Sequence, residues 1–132
     1  MRILVDTSAL YALLDRDDAN HADAERSFAD LRRRASELVT HNYVLVEAAA
    51  LVHRRLGPAA TRALLEDLLL PVEVIWVDRD LHRRAESALL AAARRRLSLV
   101  DWTSFEVMRR LGVRSAFAFD RDFAAEGFAL IP

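Results

Sequence analysis

Five short apolar runs, separated by stretches of helical pattern, restrict the fold of this chain more than any other feature. They lie at residues 2–5, 38–40, 72–77, 115–119 and 128–131, and each has the length of a buried strand. The residues between them carry helix punctuation. Thr7 or Ser8 can cap a helix over about 7–14, and Asn20 one over about 20–34. A third helix fits 42–56, where Gly57 is placed to end it. Pro58 suits the first turn of the next helix, and Pro71 stops it after Leu70. Asp78 can cap a long helix reaching Arg96, and Ser98 another ending near Gly112. A polar turn or short helical stretch occupies 120–126. Strands alternating with helices predict an α/β domain with a mainly parallel sheet, and the 132 residues predict one domain over 1–132. There is no internal repeat, low-complexity segment or linker.

Composition removes several chemistries. There is no cysteine, which excludes disulfides, thiolate nucleophiles, Cys-ligated zinc and iron–sulfur clusters. All 19 basic residues are arginine, so no lysine is available for a Schiff base or a Walker-A phosphate site. Net charge is −1, which gives no global attraction to nucleic acid. No run approaches the roughly 18 apolar residues of a membrane span. An acid at position 6 comes too early for the apolar part of a secretory signal, so a cytoplasmic protein with no membrane contact is expected.

Four acids break otherwise apolar surroundings. Asp6 follows Ile3-Leu4-Val5, Glu47 lies within residues 44–52, Asp101 follows Leu99-Val100, and Asp120 follows residues 116–119. A carboxylate beside an apolar core is unfavourable by several kcal/mol unless compensated. Asp6 and Asp120 end strands, Asp101 stands in the first turn of its helix, and Glu47 lies about one turn into its own. In open α/β sheets those positions share one edge, where ligands bind. Carboxylates gathered at about 4 Å repel by on the order of 4 kcal/mol per pair at an effective dielectric near 20. A divalent cation relieves that repulsion, and all-oxygen ligation favours Mg²⁺ or Mn²⁺. Such ions hold phosphate oxygens and activate water for attack on a phosphodiester.

Simpler roles compete for some of these residues. Ser98-Leu99-Val100-Asp101 has the spacing of a capping box, and Asp6 can cap the first helix. Glu47 is mid-helix and no cap explains it, although Arg54 could pair with it. Asp17, Asp18, Asp78 and Asp80 read as caps and solvated turns. Arg32–Arg34, Arg54-Arg55, Arg94–Arg96 and Arg109-Arg110 fall near expected helix C-termini, where they complement the dipole and point away from the acidic edge. Arg16 and Arg121 lie on the acidic side and are candidates for phosphate contact. His21, His41, His53 and His82 lack metal-ligand spacing and are expected at the surface or at helix ends. Trp76, Phe117 and Phe119 are expected in the core, while Tyr11, Leu14 and Trp102 could line a groove near the acids.

Four landmarks in order, residues 3–10, 43–47, Leu99-Val100-Asp101 with Thr103 and Ser104, and 118–123, make the chain resemble the PIN-domain ribonucleases, most closely the VapC toxins of toxin–antitoxin systems. The resemblance covers essentially the full length. It implies a PIN-like α/β fold, with a five-stranded parallel sheet in the order 3-2-1-4-5 flanked by helices, and a Mg²⁺- or Mn²⁺-dependent endoribonuclease. Asp6, Glu47 and Asp101 match the first three acids of the family, and Asp120 best matches the fourth, with Asp122 its rival. That strand order makes Asp6 and Asp120 neighbours and leaves Asp78 remote, at an edge. In these terms Asp6 and Asp101 are the principal metal ligands, Glu47 orients the attacking water, and Asp120 completes the site. Thr7 or Ser8 and Ser104 would orient carboxylates, and Asn42 would help position substrate. A cognate antitoxin, an RNA substrate and a homodimer are further implications. Two other functions compete. A Mg²⁺-dependent phosphatase is weakened because Asp6-Thr7-Ser8 lacks an Asp-x-Asp pattern. A non-catalytic PIN-like module is opposed by the retained acids.

Overall fold

The computed structural model describes residues 1–131. Strand β1 (Arg2–Val5) leads into helix α1 (Thr7–Leu14), and α2 (His21–Arg33) precedes β2 (Glu37–His41). Helix α3 (Asn42–Leu56) is followed by α4 (Pro58–Ala63), which widens into a π-helical turn at Leu64–Leu68 before β3 (Val72–Ile75). Helices α5 (Arg79–Ala92) and α6 (Leu99–Leu111) follow, then β4 (Ser115–Phe117), the short α7 (Asp122–Ala125) and β5 (Ala129–Ile131). The sheet is parallel throughout, in the order β3-β2-β1-β4-β5. No helix among the described residues is long and apolar enough to cross a membrane.

Period-two alternation splits the core into two layers. Ile3 and Val5 of β1, Leu38 of β2 and Phe117 of β4 face one side, where α1 and α3 bury Ala9, Leu10, Val44, Ala48 and Val52. Leu4, Val39 and Ala116 face the other, against Leu81 and Ala85 of α5 and Phe105 and Met108 of α6. Because β1 is central, both its faces must be apolar, and Ile3, Leu4 and Val5 are at most 1% exposed.

Two boundaries depart from expectation. Strand β3 stops at Ile75, and Trp76 is 72% exposed instead of in the core. The chain leaves the sheet there because Val77 N–H donates to Asn42 Oδ1 (2.6 Å) and not to a strand partner. Helix α5 stops at Ala92, four residues before Arg96, with Ala93 in the left-handed region at φ 51°. An α5 running to Arg96 would leave only Leu97 and the cap Ser98 between the helices, the short limit of helix–helix connections; the observed connection runs from Ala93 to Ser98.

Candidate active site

The chain moves from β1 outward to β2 and β3, then returns to place β4 on the other side of β1. The switch point is therefore the β1/β4 boundary, the usual ligand crevice of such sheets. Val5 pairs with Phe117, and the ladder ends with Asp6 N–H donating to Phe117 O (3.0 Å). Asp6 thus stands where β1 and β4 both finish.

Asp6, and not Thr7 or Ser8, caps α1. Its Oδ2 accepts from Ser8 N–H (3.1 Å) and Ser8 Oγ–H (2.6 Å). Ser8 Oγ in turn accepts from Phe119 N–H (3.0 Å), joining the end of β1 to the segment after β4. Asp6 is 5% exposed. Burial pushes its carboxyl up to about 6; the Ser8 bonds oppose that shift, and the charges of Asp101 and Asp120 add to it. Those influences identify Asp6, Asp101 and Asp120 as one electrostatic group.

Asp101 reaches the group through α6. Its Oδ2 accepts from Ser98 N–H (2.9 Å) and Ser98 Oγ–H (3.1 Å), and its own N–H donates to Ser98 Oγ (3.2 Å). The capping box is therefore real and orients the carboxylate as it closes the helix end. Asp120, half-buried after β4, accepts from Asp122 N–H at Oδ1 (2.9 Å). Burial is the main cause that raises its pKa, with Asp122 and Asp101 adding charge repulsion. Asp122 itself is held by Arg96, whose Nη2 donates to both of its oxygens (3.1 and 3.3 Å).

Glu47 is not among the charges that raise Asp6 or Asp120. It lines a shallow depression of about 360 Å³ with Thr7, Ala50, Leu51 and Arg54. No ion pair within 4.0 Å joins it to Arg54, so the expected structural partner does not neutralise it. Thr7 is 7% exposed, and its Oγ1 has no hydrogen-bond partner among the described residues. A buried hydroxyl left unsatisfied is unfavourable by about 1–3 kcal/mol, and the indole Nε1 of Trp102 in the core is likewise without a partner among the described residues.

Other expected roles resolve differently. Ser104 Oγ bonds to His41 Nε2 (2.8 Å), not to a carboxylate. His41 is fully buried and caps α3 by accepting from Val44 N–H at Nδ1 (3.4 Å), so it is a helix-end residue but not a surface one. Burial lowers its pKa to about 4, keeping the imidazole neutral. The carbonyl oxygen of Asn42 is committed to Val77 and serves the fold. Trp102 is buried edge-on against Phe105 in the core and does not line an open groove. Asp78 caps α5 and pairs with Arg110 (2.8 Å), outside the acidic group. Arg16 and Arg121 are exposed.

Sequence reasoning missed the position of Arg94–Arg96. Because α5 ends early, these residues lie in the loop that enters α6, and Arg96 reaches Asp122 on the acidic side. The capping box at Ser98 bounds α5 only at Leu97, so nothing local marked the earlier stop at Ala92.

In their present rotamers, no three acidic or histidine side chains among the described residues converge tightly enough to hold an ion. Each acid of the group bonds to a local donor through one oxygen. Asp6 Oδ1 and Asp101 Oδ1 keep no hydrogen-bond partner among the described residues. The donor set is all oxygen, and a divalent cation would offset both the burial that chiefly raises Asp6 and the repulsion from Asp101 and Asp120 that adds to it, so these residues fit Mg²⁺ or Mn²⁺ chemically.

The family profile described as the PIN domain matches residues 3–128. The 23S rRNA-specific endonuclease VapC20 of Mycobacterium tuberculosis is 42% identical over 127 residues, covering 96% of this chain and 95% of that protein. The crystal structure of M. tuberculosis VapC20, described as a sarcin–ricin loop cleaving toxin, superposes with a TM-score of 0.85 at 40% identity, covering 96% of both chains. The crystal structure of VapBC2 from Rickettsia felis bound to a DNA fragment from their promoter matches with a TM-score of 0.73 at 11% identity. That match covers 98% of this chain and 97% of the other, and the likeness is one of fold.

Proposed function

The chain belongs to the PIN-domain family, and within it to the VapC toxins; on that premise we propose that it is a Mg²⁺- or Mn²⁺-dependent endoribonuclease that cuts ribosomal RNA. The observation that carries this reading is the grouping of Asp6, Asp101 and Asp120 at the switch point of the sheet, with Asp6 buried. The name of the relative at 42% identity supports the RNA class. A cognate antitoxin and a homodimer belong to the same reading.

In this reading Asp6, Asp101 and Asp120 would hold the cation, which would supply charge neutralisation for phosphate oxygens and a more acidic water. Glu47 orients the attacking water and takes its proton. Ser8 and Ser98 keep Asp6 and Asp101 in position. The water oxygen bonds to phosphorus, the phosphorus–oxygen bond to the leaving ribose breaks, and the departing oxygen takes a proton from solvent. Asp120 is preferred over Asp122 because its charge acts on Asp6, whereas Asp122 is occupied by Arg96.

The test is incubation of purified, antitoxin-free protein with ribosomal RNA, followed by primer extension. A discrete cut with Mg²⁺ or Mn²⁺, none in EDTA, and loss of the cut in Asp6→Asn are expected. Asp120→Asn should be more damaging than Asp122→Asn; the opposite order would move the fourth acid to Asp122. Phosphate release from small esters without any RNA cut would sink the nuclease reading.

A further inference from the structure

A site built from carboxylates repels the substrate proposed for it. RNA carries a negative charge at every phosphate, and the chain as a whole, at −1, offers no compensating field. Positive charge must therefore be supplied locally, beside the acids.

The loop between α5 and α6 supplies it. Arg94, Arg95 and Arg96 are consecutive and exposed, released from α5 by the left-handed turn at Ala93. Together with Leu97 and Asp122 they line an open depression of about 400 Å³. Arg96 is anchored by Asp122, whose N–H bonds to Asp120, and Ser98, two residues on, bonds to Asp101. The C-terminal flank of the loop is thus tied to Asp122 and to Asp101. Arg94 and Arg95 have no carboxylate within 4.0 Å among the described residues. They differ in this from Arg109 and Arg110, which ion-pair with Glu106, Glu126, Asp78 and Asp80.

We propose that Arg94 and Arg95 form a phosphate-binding arm that grips the RNA backbone next to the scissile bond, with Arg96 as the anchor that fixes the loop to the acidic site. This rests on the proposed RNA-cutting function and extends it to how the strand is held. The guanidinium fork matches phosphate oxygens in pairs, so backbone contact is the chemistry the loop suits, independent of base sequence. Arg96 is a positioning residue here, because its donors are already engaged by Asp122.

The test compares wild-type protein with Arg94→Ala/Arg95→Ala and Arg94→Lys/Arg95→Lys, leaving Arg96 intact. Binding of a short labelled RNA hairpin is measured in EDTA by fluorescence anisotropy across a salt series, and cleavage is measured with Mn²⁺. The double alanine variant should bind roughly tenfold or more weakly at low salt. Its salt slope should fall by about 0.7 per lost contact to a single strand. Its KM should rise while kcat at saturating RNA and melting temperature stay unchanged, and the lysine variant should recover the salt slope but only part of the affinity, because lysine keeps the charge and loses the paired geometry. Unchanged affinity and slope in the alanine variant would overturn the arm even if cleavage by the wild type is intact. RNA binding that needs both arginines in a wild type that never cuts RNA would support the arm and sink the nuclease function instead. Normal RNA binding with loss of an antitoxin would assign the loop to a protein partner and overturn the proposal.

Discussion

Placing Asp6 behind the central strand works against folding at neutral pH. Its ordinary carboxyl value is 3.8, and burial lifts it to about 6. The folded chain then holds this proton more tightly than the unfolded chain. The associated stability is fully present below about pH 4 and is lost as pH rises through about 6, on the order of 3 kcal/mol in all. His41 has the opposite sign. Its imidazole falls from 6.5 to about 4 through burial, so its contribution is present above about 6.5 and lost as pH falls through about 4. Between roughly pH 4 and 6 the two slopes oppose each other. Asp6→Asn keeps the acceptor that caps α1 and removes the charge. Urea unfolding without divalent cations should therefore show the variant more stable than wild type at pH 7, by about 1–3 kcal/mol, with no gain near pH 3.5. Equal stability at pH 7 would mean that Asp6 is not a buried, strained carboxylate. Ser8→Ala tests the same group from its partner. Ser8 lowers the Asp6 pKa, so its loss should move the acidic limb of the cleavage profile to higher pH, and a shift to lower pH would contradict the assignment. Asp6 itself was legible, because an acid directly after a buried strand must either cap the next helix or face a ligand at the sheet edge. The burial of His41 was not, because nothing local announces that Ser104, on a distant helix, will meet it.

Helix α6 does two things with one hydrogen-bonded turn. The box that closes its first turn also sets the direction of Asp101. Ser98→Ala should cost about 1 kcal/mol of stability, typical of a lost cap. Its effect on cleavage should be larger than that of a cap alone, because the Asp101 carboxylate loses the Ser98 hydroxyl that helps to aim it. Melting curves and turnover measured on the same preparations separate the two effects; a variant that loses only stability would make the box purely structural. Helix α3 was legible to the residue, since Gly57 ends it at φ 91° and the helix begins where β2 ends. Helix α5 was not. Ala and Arg are both good helix formers, so propensity alone carries the helix on to Arg96. The stop comes from geometry between elements, because α5 and α6 must turn to pack against each other.

At the scale of the whole molecule, the sheet order converts scattered acids into a group. Asp6 and Asp120 are 114 positions apart, 120 less 6, and meet only because β4 lies against β1. The strand–helix alternation made an α/β fold legible, but the order of the strands came from the family resemblance and not from periodicity. The exposure of Trp76 was hidden because an edge strand can end early without changing its sequence pattern. The position of the arginine loop was hidden for the reason that governs α5, and with it the positive side of an otherwise acidic site. The central claim is that Asp6, Asp101 and Asp120 act as one cation site. The direct measurement is thermal unfolding at pH 7.5 with and without Mn²⁺, for wild type, Asp6→Asn and Asp101→Asn. A shared site predicts a saturable rise in the wild-type melting temperature, following mass action, and a rise reduced or absent in both variants. An equal rise in all three proteins, or none in the wild type, would contradict it.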